Sequence, residues 1–163
     1  MLYCQFLLDG TTQQDSYSTA RSLGPTTRRM NTIYQLRDDR TAIAQMQRAS
    51  LAPGAAGLRI THGLIGSGEW WSQIDSGALP VHTVKGRVSG FWPGQWSDGP
   101  AEFELQTEQG ERQVWLCEIP PPQAALEFRI GRAVALSYVR QGLKAPVEGQ
   151  SNDTPITITI SLE

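Results

Sequence analysis

Cysteine and histidine are scarce in this chain, and long apolar runs are missing. The two cysteines, Cys4 and Cys117, stand far apart and outside any CxxC motif, which excludes a disulfide framework. Each lies in an apolar, strand-like run and reads as a buried, inert thiol. His62 and His82 are the only histidines. A zinc site needs three or four ligands, usually with one close pair, and nothing here supplies them, so no metal and no cofactor is expected. No stretch approaches the ~20 apolar residues that cross a bilayer, so no membrane association is expected. The N-terminus, Met1 to Asp9, lacks a basic region followed by a long apolar one, does not read as a signal peptide, and points to the cytoplasm.

Catalytic signatures are missing as well. Ser67 and Ser89 lie near glycines, yet neither sits in G-x-S-x-G. Gly63 to Gly68 precedes a helix but lacks the lysine and spacing of a phosphate loop. Asp38 and Asp39 read as a turn, and Glu102 and Glu104 as the solvated face of a strand. The chain therefore reads as non-enzymatic.

Glycine and proline are plentiful instead, with sixteen and ten copies in 163 residues, a composition of many turns and short strands. The net charge of −2 is unevenly spread. Residues 1–80 hold seven Arg and six acids, whereas residues 81–163 hold seven Lys or Arg and ten acids. An acidic second half argues against a nucleic-acid groove there.

That second half carries five strand-like runs: His82–Phe91, Ala101–Thr107, Glu111–Ile119, Ala133–Arg140 and Thr154–Leu162. Phe103 and Leu105 alternate with Glu102 and Glu104, and Ile156, Ile158, Ile160 and Leu162 recur with a period of two. That period puts Thr157 and Thr159 on the outer face. Val114 and Leu116 share one face of their strand, with Trp115 and Cys117 on the other. Gly86 and Gly90 give the first strand room to bend. The order is that of a small OB-like five-stranded barrel, a scaffold that binds more often than it catalyses. The expected fold is mainly β, with this barrel (81–163) packed against an N-terminal β-rich lobe (1–80) that carries one short helix.

In that lobe residues 2–8 read as a strand and residues 9–29 as a long loop. Met30–Met46 reads as a hairpin turning at Arg37-Asp38-Asp39-Arg40. Pro53–Gly57 is a turn, and Leu58–Thr61 a short strand. Residues 68–76 form the helix: Ser67 is a good N-cap, Glu69 suits the first turn, and Gly77 ends it in a left-handed conformation. Trp70 and Ile74, four apart, face inward together.

The segment Gly63 to Trp71, with its GSxEWW core, followed by Gly77-Ala78-Leu79-Pro80 and Thr83 to Val88, resembles a pattern in small uncharacterised bacterial proteins. The resemblance continues through Ala101 to Leu105, Ile130 to Val134 and Tyr138-Val139, and covers residues 63–144. It implies an OB-like domain in a bacterial cytoplasmic protein and brings no activity with it.

The best candidate for a binding surface is the loop 91–100, whose Trp92 and Trp96 can stack on a partner. The alternative is that both rings fold back to cap the barrel. Trp71 is a third aromatic anchor, and Arg87 and Arg112 are candidate contacts beside them. Trp and Arg are the commonest hot-spot residues of protein interfaces. The leading expectation is thus a binding module for a protein partner through the aromatic loop. The alternative is single-stranded nucleic-acid binding on the barrel face, where Arg would meet phosphate and Trp a base.

Overall fold

The computed structural model describes residues 29–55, 57–93, 100–145 and 151–163. The expected strand 2–8, nearly all of the loop 9–29, Cys4 and Trp96 lie outside the described residues. Within them the chain is mainly β: six antiparallel strands form one sheet in the order β1-β6-β5-β2-β3-β4. The strands are β1 (Asn31–Gln35), β2 (His82–Pro93), β3 (Pro100–Thr107), β4 (Arg112–Leu116), β5 (Ala133–Gly142) and β6 (Asp153–Leu162). All five expected runs of the second half are strands, within a few residues at each end.

The barrel itself is not closed. Closure would require β6 to pair with β4. Instead the last residues of β6 pair with β1, in a register that sets Tyr34 opposite Ile160 and Asn31 opposite Leu162. Among the described residues β1 and β4 are the two edges. The sheet nevertheless curls strongly. Trp115 of β4 touches Tyr138 of β5, with ring centroids 5.0 Å apart, although two strands separate them in the sheet. Gly86 permits a close approach of β2 to β3, since a Cβ there would clash with the Gln106 carbonyl oxygen.

Alternation holds in β3, where Phe103 and Leu105 are fully buried. It breaks in β6. Ser137 faces Thr159 and Tyr138 faces Thr157, so Ile158 is an extra, bulged residue. The bulge turns Thr157 inward, where it is buried rather than on the outer face as a strict period of two predicts.

The N-terminal half departs from the expected hairpin. Met30–Met46 holds β1, a 3-10 turn over Leu36–Asp38, and the start of helix α1 (Arg40–Leu51). Asp39 caps α1, its carboxylate accepting from the Ala42 N–H at 2.9 Å. Ala42, Ile43 and Met46 pack on the core at helical spacing, and Ser50 is buried behind them. The Lys144 ammonium donates to the Ala49 and Ala52 carbonyls at the far end of α1, where the helix dipole favours a cation. Leu58 forms only an isolated bridge with Leu143.

The helix expected at 68–76 is α2 (Gly68–Asp75). Ser67 caps it by accepting the Trp70 N–H at 3.2 Å, and Gly77 follows at φ +78°. Trp70 is fully buried and Ile74 packs against the core with it. A third helix, α3 (Pro121–Glu127), closes one end of the sheet, stacking Phe128 on Phe103 at 4.6 Å. Among the described residues, then, the N-terminal half contributes one strand and two helices to the same core, and α1 is the helix that the sequence reading lacks.

Candidate functional site

Cross-strand register assembles a face from three of the five expected contact residues. On the convex side of β2, β3 and β4, Trp92 stands opposite Glu102, which stands opposite Leu116. The next row is Gly90, Glu104 and Val114, and the third is Arg87, Gln106 and Arg112. The bulge at Ser89 puts Trp92 on this side. Residues paired across an antiparallel ladder share a face, so these rows form one surface. Val114 (55 % exposed), Leu116 (53 %) and Trp92 (44 %) are among its most exposed apolar groups.

The polar members are held in place. Ser89 donates to the Glu104 carboxylate at 2.5 Å, and the Arg112 guanidinium approaches the same carboxylate at 3.8 Å. The Arg87 guanidinium donates to the Gly131 carbonyl at 2.8 Å. The result is a sheet-borne patch with Glu102 and Glu104 along its middle strand, Trp92 on one flank, Val114 and Leu116 on the other, and the two arginines at one end. Val114 and Leu116 are absent from the sequence-based candidates. The signal for them lies in the short Glu108-Gln109-Gly110 turn, which sets Glu104 against Val114 and Glu102 against Leu116.

Trp71 sits elsewhere. Its ring meets Trp70 edge-on at 4.7 Å and carries the Arg37 guanidinium 4.2 Å from its centre. Arg37 also bonds both carboxylate oxygens of Asp75, at 3.0 and 3.2 Å. The indole of Trp71 is therefore covered from within the chain.

A second feature lies along the open seam, where β1 and the residues after β4 come near each other without pairing. Two hollows of about 380 and 230 Å³ share Tyr34 and Glu118 as walls. Asp38 and Asp39 line the larger, Leu116 and Thr157 the smaller. Glu118 takes the left-handed backbone region at φ +57°, which a non-glycine residue rarely adopts. Burial raises its pKa, and Asp39 adds to the rise, while a hydrogen bond with Thr157 opposes both. Burial and Glu118 likewise push up the Tyr34 phenol, and the Cys117 thiol to about 12. All three groups are thereby favoured in their neutral forms, the reverse of what an activated nucleophile needs.

Among the described residues no group of three or more His, Cys, Asp or Glu side chains converges as a metal site, and no helix is long and apolar enough to cross a membrane. The family model of immunity protein RhsI2 matches residues 30–162, and the chain belongs to that family. The matched span begins beside β1 and ends with β6, so it takes in the whole sheet. No curated protein matches the sequence. The likeness to small bacterial proteins thus stands at the level of this immunity family.

Proposed function

We propose that this immunity-family protein neutralises a partner toxin by binding it through the convex face of β2, β3 and β4, with Trp92 as the main anchor and Val114 and Leu116 as further apolar contacts across β3. The family carries the coarse reading, a module that binds a protein rather than a catalyst. The face is supported by one observation: exposed Trp92, Val114 and Leu116 lie on a single surface of paired strands, without the flexibility of a loop. A rigid aromatic anchor loses little entropy on binding, and Trp and Arg dominate interface hot spots.

Charge favours a protein over single-stranded nucleic acid on this surface. Trp92 has Glu102 as its cross-strand neighbour and Gly90 beside it faces Glu104, so a base stacked on the indole would bring its phosphates against carboxylates. Arg87 is already engaged with Gly131.

The test is growth rescue. Candidate toxins are expressed with and without this protein, and the toxin whose growth arrest it relieves is purified for binding. Trp92→Ala is expected to abolish rescue while leaving the fold intact. Rescue that survives Trp92→Ala, Val114→Ala and Leu116→Ala together removes this face from the mechanism. Salt-sensitive binding of oligonucleotides with no toxin relieved would favour the nucleic-acid reading.

A further inference from the structure

We propose that the free edge of β4 is completed by an extended segment of the toxin, which adds to the sheet as a seventh strand. This rests on the reading above and names how the partner engages.

The ladder parity identifies the exposed backbone groups. The Cys117 N–H bonds the Ala101 carbonyl, and the Thr107 N–H bonds the Glu111 carbonyl. In an antiparallel pair, such hydrogen-bonded positions alternate with non-bonded ones. Gln113 and Trp115 therefore exchange bonds with Leu105 and Phe103, in the register of the pair. Arg112, Val114 and Leu116 aim their N–H and C=O groups away from β3, and among the described residues no strand pairs with β4 on that side.

Native proteins usually blunt such an edge with a bulge, a proline or lysines. β1, the other edge, has a register shift between Thr32 and Tyr34. β4 has no bulge against β3, no proline and no lysine, and it exposes Val114 and Leu116. Among the described residues no strand covers this edge, and such an edge, exposing apolar side chains in a protein that acts by binding, is a template for strand addition.

Charge sets the chemistry of the occupant. Residues 100–118 contain five acids, Glu102, Glu104, Glu108, Glu111 and Glu118, against one base, Arg112. Glu111 and Glu118 flank β4 in the chain, and Glu102 and Glu104 lie on the adjoining strand. The fitting segment carries apolar side chains opposite Val114 and Leu116, flanked by Lys or Arg. A second copy of this chain would bring the same acids together and is disfavoured.

The test compares Val114→Pro with Val114→Ala in the full-length protein, bound to the toxin identified by growth rescue. Proline removes one outward N–H and leaves the bonds to β3 intact. Val114→Pro is expected to weaken binding at least tenfold more than Val114→Ala, with unchanged near-ultraviolet dichroism. Equal affinities overturn the proposal. Should Val114→Pro not fold, amide exchange of the wild-type protein decides: Arg112, Val114 and Leu116 become protected only in the complex if the proposal holds. Exchange unchanged by the toxin overturns it. So does protection already present in the free protein, whether at all concentrations (its own chain on the edge) or only at high concentration (a second copy). If no toxin is relieved in the growth assay, the functional reading fails before the edge is tested. If Trp92→Ala loses binding and Val114→Pro does not, the face stands and the edge falls.

Discussion

The Trp92 ring lies over Gly90, where a Cβ would stand 3.6 Å from the indole. That distance is ordinary van der Waals contact, and it places the benzene edge of the indole beside Gly90 on the convex face. Because Trp92 is 44 % exposed, its truncation removes little core packing. Trp92→Ala is expected to change the melting temperature only slightly and to weaken toxin binding by about 2 kcal/mol or more, the scale of an interface hot spot. Calorimetric titration beside thermal melting checks both halves. A large loss of stability with unchanged affinity would make the ring structural.

Trp70 and Gln141 form the polar tie inside the core. The Trp70 indole N–H donates to the Gln141 amide oxygen at 3.3 Å, and the Gln141 amide nitrogen donates to the Arg59 carbonyl at 2.6 Å. Gln141 is fully buried. Gln141→Leu leaves an N–H and a C=O without partners, at a cost of about 1–3 kcal/mol each where water cannot reach them. Urea denaturation is expected to show a lower midpoint with an unchanged slope. A shift worth less than about 1 kcal/mol would mean that water enters and replaces the amide.

Gly86 is expected to tolerate no side chain. Its Cβ would stand 2.1 Å from the Gln106 carbonyl oxygen, a backbone atom that cannot rotate away. Gly86→Ala forces β2 and β3 apart where their backbones approach closely and should cost at least the ~1–3 kcal/mol typical of overpacking. Gly110→Ala, where the site is open but φ is +86°, serves as a comparison and should cost less. Equal melting temperatures for the two variants would count against the close approach.

Cys117, with its pKa pushed up to about 12 by burial, should resist alkylation in the native protein at pH 8. Iodoacetamide labelling followed by peptide mass mapping is expected to modify Cys117 only in denaturant. Labelling of the native Cys117 peptide at the rate of a free thiol would show that the core opens near β4.

Glu118 carries a sign that can be checked. Its folded pKa is raised, so the native state holds its proton more firmly than the unfolded state does. Stability then falls as pH rises from the ordinary carboxylate range through the folded pKa. Glu118→Gln is expected to flatten this fall, leaving the variant no less stable at neutral pH. Urea midpoints measured from pH 4 to 8 provide the comparison. A wild-type stability that instead rises through that window, with Glu118→Gln less stable at pH 7, would contradict the assignment.

Much of the sheet was legible because half-buried strands write themselves into sequence. Phe103 and Leu105 alternate with Glu102 and Glu104, and the pattern predicted their burial. Ser67, Glu69 and Gly77 framed α2 because caps are local chemistry. α1 reads as part of a hairpin because Tyr34 and Leu36, which belong to β1 and the turn after it, fall in the same window as Ala42 and Met46. The local signal for the helix is Asp39, which serves as its N-cap and not only as a turn residue. A period of two puts Thr157 outside because it cannot anticipate the bulge at Ile158.

Taken by itself, the sequence determined the five strands of the second half, the helix at Ser67 and the acidic balance of that half. These follow from local periodicity, capping and composition, which act within a few residues. Tertiary structure alone decided that β1 takes the edge of β6 and leaves the barrel open. It also decided that Trp92, Val114 and Leu116 share one face, and that among the described residues no strand pairs with the outward side of β4. The pairing of β1 with β6 is a choice made between residues more than a hundred positions apart, as Tyr34 and Ile160 are. No local pattern encodes such a pairing. It is selected by the burial that the whole sheet achieves when it curls.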